Sequence, residues 1–165
     1  MGIMACYLSL NDALADEVAQ LDNAHIVGKI EELMEKQRCS VYEMDKLWDG
    51  LHYLLTGISA SQPIEDNPLS EAIVGVHVLD NEEFVSVIGS DELPRILEAL
   101  HSMDRTVLQQ QYKQADFRAK QIYPDIWVDD EAEERFAELI TELNQLTHFH
   151  EQSLAKGHDI LISIY

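Results

Sequence analysis

Between Asp45 and Gly57 the sequence reads DKLWDGLHYLLTG, which sets two carboxylates, a lysine, a tryptophan and a histidine within one short stretch. On a helix that starts at Asp45, Asp49 and His52 are three residues apart, so one side chain stands above the other. Together they could orient one proton or grip a single cation. Trp48 lies along the same side. A structural reading uses the same residues: Asp45 caps the helix, Trp48 packs at the core edge, and Asp49 pairs with His52 on the surface. Gly50 adds a further signal, because a glycine inside a helix costs about 1 kcal/mol relative to alanine. Either another backbone approaches closely there or the helix tolerates a defect.

Elsewhere the residue types needed for chemistry are present but their spacing is wrong. His148 and His150 are two positions apart on a helix and point in nearly opposite directions, so they do not form a ligand pair unless the helix breaks. His150 continues an apolar stripe and reads as a core histidine. No H-E-x-x-H helix or paired-cysteine knuckle occurs, so no metal is assigned. No G-x-S-x-G or glycine-rich phosphate loop occurs either, and no cofactor is assigned. Ser70 reads as the N-cap of a short helical turn, with Glu71 in its first turn. His77 falls in an expected strand, where it could face core or cleft.

These side chains must be positioned by a modest set of elements. Residues 3–10, IMACYLSL, read as a buried strand closed by an Asn11-Asp12 cap. Two helical patterns follow, one through Leu14, Val18 and Leu21 and one through Ile26, Ile30, Leu33 and Met34. Cys39 to Tyr42 forms a short apolar link before the stretch described above. Residues 58–71 hold two of the four prolines and form the longest loop. The segments at 73–80 and 82–89 flank Asp80-Asn81 as a hairpin. A helix bearing Leu93, Ile96, Leu97 and Leu100 comes next, then a more polar helical stretch around 104–120. Residues 121–130, QIYPDIWVDD, are an extended linker that pins two aromatics onto the body. The acidic run from Asp129 to Glu134 suits the positive end of a long helix that continues to about Lys156. Residues HDILISIY close the chain as a strand.

With 165 residues, the chain suits one domain, 1–165, large enough for a self-sufficient core. Eleven Lys+Arg against 31 Asp+Glu give a formal net charge of −20. Duplexes and anionic membrane surfaces are bound through clustered cations, so nucleic acid and membrane are set aside as partners. A basic protein or a bound cation remains compatible. Only two cysteines are present, Cys6 and Cys39, and they read as reduced cytoplasmic thiols.

Taken in chain order, several of these features resemble the YfbM-like family, small bacterial proteins of unknown function. They are Met-Gly-Ile-Met before a strand, Asp45-Lys46-x-Trp48-x-x-Leu51-His52-x-x-Leu55-Thr56-Gly57, Pro68-Leu69-Ser70, Ala72, Gly75, Ile122-Tyr123-Pro124, Phe149, Gly157 and the terminal strand. His150 departs from the pattern, standing where an aromatic such as tyrosine is expected. The resemblance implies a compact single α/β domain, with α and β mixed, built as a small mixed sheet with helices packed on both faces. It implies no activity.

The polar marks of the pattern come from three segments and are expected to meet in one cleft. The candidate residues are Lys46, Trp48, Asp49, His52, Ser70, His77 and Tyr123. The expected function is a non-enzymatic cytoplasmic binding or interaction protein, with a basic protein as a suitable partner. The alternative is a small hydrolase or acid/base enzyme, metal-assisted in one version, that uses Asp49 and His52.

Overall fold

In the computed structural model, which describes residues 2–165, the apolar run Ala5–Leu10 forms strand β1, buried along its whole length. Burial on both faces is what a near-continuous apolar strand requires. Strand β2 (Ser40–Asp45) pairs with one edge of β1 and β5 (Asp159–Ile164) with the other. Beyond β5 lie β4 (Val85–Ile88) and β3 (His77–Asp80), giving the order β2-β1-β5-β4-β3.

Every pairing is antiparallel, where a mixed sheet was expected. The reason is topological. The first and last strands sit side by side at the centre, with Leu8 opposite Leu161, and β3 and β4 form a hairpin that needs no crossover. The expected class stands: α and β are mixed, with helices on both faces.

Side-chain alternation divides the interior into two cores. Tyr7, Met44, Ile88, Ile160 and Ile162 face the larger one, and Cys6, Leu8, Leu10, Val85 and Leu161 the smaller. Helices α1 (Asp12–Ala19) and α2 (Asn23–Glu35) cover the smaller core through Leu14, Val18, Ile26, Ile30 and Leu33. Asn11 caps α1 by accepting the Leu14 amide, as the sequence indicates.

The larger core is built by α3 (Trp48–Thr56), α4 (Pro68–Val74), α5 (Leu93–His101), α6 (Arg105–Gln111), α7 (Gln114–Ala119) and α8 (Ala132–Ala155). A 3-10 turn at Asp129–Glu131 leads into α8. The buried stripe of α8 carries Phe136, Leu139, Ile140, Leu143, Leu146, Phe149 and His150.

Two element boundaries differ from the sequence expectation. The apolar link at Cys39 to Tyr42 extends into β2 and runs to Asp45, which turns the chain at φ 54° and does not cap a helix. Residues 73 and 74, expected in a strand, close the buried helix α4. Its cap is Asn67, whose side chain accepts the Leu69 and Ser70 amides, and Pro68 supplies the first helical position. Ser70 therefore lies inside the helix and is not its cap.

Candidate functional site

Helix α3 carries the densest polar group of the larger core. Asp49 is 4% exposed, and its carboxylate accepts three donors. Oδ1 takes the Ser59 hydroxyl at 2.9 Å and the Ala60 amide at 2.7 Å, while Oδ2 takes the Tyr123 amide at 2.9 Å. One side chain thereby ties the loop after α3 and the segment before α8 to a single helix. A buried carboxylate is tolerated only when its lone pairs are filled in this way.

One turn further along, His52 is fully buried, with 0% exposure. Nδ1 lies 2.6 Å from the Ile58 carbonyl, which can only accept, so Nδ1 carries the proton. Nε2 then accepts the Ser70 hydroxyl at 2.7 Å, and Ser70 Oγ in turn accepts the Ile64 amide at 3.0 Å. Burial pushes the His52 pKa below its ordinary value, which favours this neutral form. The set pins the loop after α3 across α4.

The far end of α4 is satisfied by His150, the core histidine of the sequence reading, and by Tyr7 and Ser86, which that reading did not single out. Its last carbonyls need donors, because a helix C-terminus leaves them unpaired. His150 Nε2 donates to Ala72 O at 2.9 Å, Tyr7 to Ile73 O at 2.8 Å and Ser86 to Val74 O at 2.6 Å. Three different elements thus cap one buried helix.

Gly50 meets a side chain rather than a backbone. A Cβ there would lie 2.6 Å from Trp127 Cη2, 2.8 Å from Cζ2 and 3.3 Å from Leu139 Cδ2. The indole cannot retreat easily, since Nε1 donates to Ile122 O at 2.7 Å and the Phe117 ring lies 4.6 Å away. Gly50→Ala is therefore expected to destabilise the protein by about 1–3 kcal/mol despite the better helix propensity of alanine. Urea unfolding checks this; a gain in stability would show that the indole yields.

Trp48 and Tyr123 pack in a tilted pair at 5.6 Å between ring centroids and are occupied by the chain itself. Trp48 Nε1 donates to Ile3 O at 3.0 Å, and Tyr123 Oη accepts the Ile3 amide at 2.7 Å. Lys46 and Tyr123 also border a groove of about 780 Å³ between the end of β2 and α8. Asp45, Glu134, Glu138 and Glu142 add carboxylates to its walls, and Met44, Leu47 and Ile126 add apolar surface. Arg135 also borders it but is engaged by Glu131 at 2.5 Å and Glu138 at 2.7 Å. Tyr42 donates to Glu142, whose pKa burial raises from its ordinary value.

The seven candidate residues therefore divide. Asp49 joins the Tyr123 segment, and His52 joins Ser70, but all of these contacts are internal. Asp49, His52 and Ser70 do not line a cleft, because the loop 57–67 folds over their helix face and seals it. Lys46 and Tyr123 do reach a groove, and Trp48 stands beside Tyr123. His77 is not brought to the group. It lies on β3, at the opposite edge of the sheet from β2, and pairs with Glu92 at 2.7 Å on the surface.

Among the described residues, no three metal-binding side chains gather in one place. No described helix is long and apolar enough to cross a membrane.

A two-core antiparallel sheet with a polar hub on α3 defines an α/β domain whose buried groups hold loops. The family model described as "Domain of unknown function (DUF1877)" matches residues 1–163, and the chain belongs to that family. The chain is 26% identical over 167 residues to Protein YfbM of Escherichia coli (strain K12), with 99% of each covered. The crystal structure of YfbM from Escherichia coli, described as a protein of unknown function, matches with a TM-score of 0.84 at 26% identity. That match covers 98% of this chain and 99% of the other. The resemblance to the YfbM-like family is borne out along nearly the whole chain.

Proposed function

We propose that this is a non-enzymatic binding protein of the cytoplasm that holds a basic segment of a partner protein in the groove between β2 and α8. The observation that carries this reading is the charge of the groove. Four carboxylates, Asp45, Glu134, Glu138 and Glu142, border it against two cations, Lys46 and Arg135, the latter paired with Glu138 and with Glu131 outside the groove, which leaves an excess of two negative charges. A lysine or arginine from outside would relieve that excess, while its aliphatic stem lay on Met44, Leu47 and Ile126. The net charge of −20 would steer such a partner from a distance. Two free thiols, one of them buried, support a reducing compartment.

The acid/base alternative has no support in the geometry. A general base must come within hydrogen-bond reach of a substrate proton, and Asp49 and His52 are sealed with their acceptors filled.

Pull-down at low and at high salt tests the binding reading, with Glu134→Gln/Glu138→Gln/Glu142→Gln as comparison. The native protein should retain basic proteins at low salt and release them at high salt, and the triple variant should retain about tenfold less. Capture of no protein under either condition, or equal capture by the variant, sinks this reading.

A further inference from the structure

On the opposite face of the sheet, α1 and α2 pack over the smaller core, and their cover stops short near the end of β5. A second groove of about 510 Å³ opens there, within the span of about 300–1,000 Å³ usual for small-ligand sites. Its floor is mostly apolar: Val27, Ile30 and Met34 from α2 and Tyr165 beyond the end of β5, with the Ser163 hydroxyl as the polar exception, while Ile164 borders it but packs against the larger core. Tyr165 remains 53% exposed, so a large aromatic ring stands open to solvent at the mouth.

The rim has one sign of charge. Glu31, Glu35 and Glu83 border the opening, and no cation lines it. The cations nearby on that surface, Lys29, Lys36 and Arg38, are engaged by Glu17 and Glu32. Among the described ion pairs, none includes Glu31, Glu35 or Glu83. An apolar cavity would exclude a strongly hydrated ion, and an acidic rim would repel an anion. An organic cation with an apolar body satisfies both features. The Tyr165 ring and the polarisable Met34 thioether suit it further, since an ammonium over an aromatic face is attracted by the ring quadrupole.

We propose that the groove between α2 and the end of β5 is a binding site for a small apolar organic cation of the alkyl- or arylammonium class. This site is separate from the groove at β2 and α8 and does not depend on the basic-partner reading.

Octylammonium is the probe, with 1-octanol and octanoate as the uncharged and anionic controls, titrated into the full chain and followed by calorimetry and amide chemical shifts. Octylammonium should bind saturably, with the largest shifts at Val27, Met34 and Tyr165. 1-Octanol should bind about tenfold more weakly, and octanoate should not saturate. Glu31→Gln/Glu35→Gln/Glu83→Gln should weaken octylammonium by about tenfold, while Glu134→Gln/Glu138→Gln/Glu142→Gln should leave it unchanged. All three rim residues are exposed, so the fold is expected to persist, and Glu83→Gln alone provides a milder variant with a smaller loss of the same sign. Absence of saturable binding, equal affinity for 1-octanol, or shifts that map to the β2–α8 groove would overturn the proposal.

Discussion

Replacing Asp49 by alanine is expected to destabilise the protein by about 3–5 kcal/mol, the largest loss for any single polar side chain on α3. The carboxylate fills the Ala60 amide, the Tyr123 amide and the Ser59 hydroxyl, and all three donors lose their partner at once. A hydrogen bond to a charged acceptor contributes about 1.5–3 kcal/mol, and a donor left buried costs a further desolvation term. Part of that sum is recovered because the carboxylate itself no longer has to be buried, which sets the range below the simple total. Against a typical domain stability of about 5–15 kcal/mol, the loss is a large share of the whole.

The failure should also be local. Amide hydrogen exchange in the variant should accelerate in two stretches far apart in sequence, the loop at 57–67 and the segment at 121–127, because Asp49 joins them. Asp49→Asn should be milder. It keeps an acceptor for Ser59 and Ala60 but turns an amide N–H toward the Tyr123 amide. Urea unfolding and exchange together decide the matter. A loss below about 1 kcal/mol, or acceleration in only one stretch, would show that the carboxylate does not join the two.

How much of this was legible in the sequence depends on the range of the interaction. Local spacing was sufficient for the stripe of α8, the Asn11 cap and the buried run of β1, since those patterns are written within a few residues. It was also sufficient to single out Asp49, His52 and Gly50 as unusual on one helix. What spacing could not show is what lies over that face. A three-residue interval puts Asp49 and His52 on neighbouring parts of a helix surface, and a wet surface would make them an acid/base pair. The loop 57–67 instead folds back and supplies donors and acceptors of its own, from Ile58, Ser59, Ala60 and Ile64. The same polar residues became fasteners.

The caps of α4 were less legible still. Tyr7 and His150 reach its carbonyls from 66 and 78 residues away, so no window of the sequence contains both partners. Asp45 was misassigned for a different reason. A carboxylate before a helical run fits an N-cap on propensity, but β2 pairs with β1 as far as Asp45, and the sheet register overrides the local preference. His77 was placed in a strand correctly, yet only the strand order shows that this strand lies at the wrong edge to join the others.

Acidification should expose the other consequence of these buried fasteners. His150 is fully buried, beside the Tyr7 ring at 6.0 Å and the Phe149 ring at 6.3 Å. Its Nε2 proton is committed to Ala72 O, and Nδ1 has no partner. Burial pulls its pKa down to about 4, from an ordinary value of 6.5. Between those values the unfolded chain binds a proton that the folded protein does not, so the contribution of His150 is complete above about pH 6.5 and falls as the pH falls, levelling off near pH 4. Between pH 7 and pH 5 the loss should be about 2 kcal/mol, and His52, whose pKa burial also lowers, acts in the same direction. Many carboxylates begin to titrate in the same range, and the fall in net charge opposes the trend, so the wild-type slope alone does not isolate the histidine. The comparison with His150→Gln does. Glutamine can still donate to Ala72 O but takes up no proton, so its urea stability should fall between pH 7 and pH 5 by about 2 kcal/mol less than that of the wild type. Parallel pH profiles for the two proteins would show that His150 holds α4 without coupling its stability to protons.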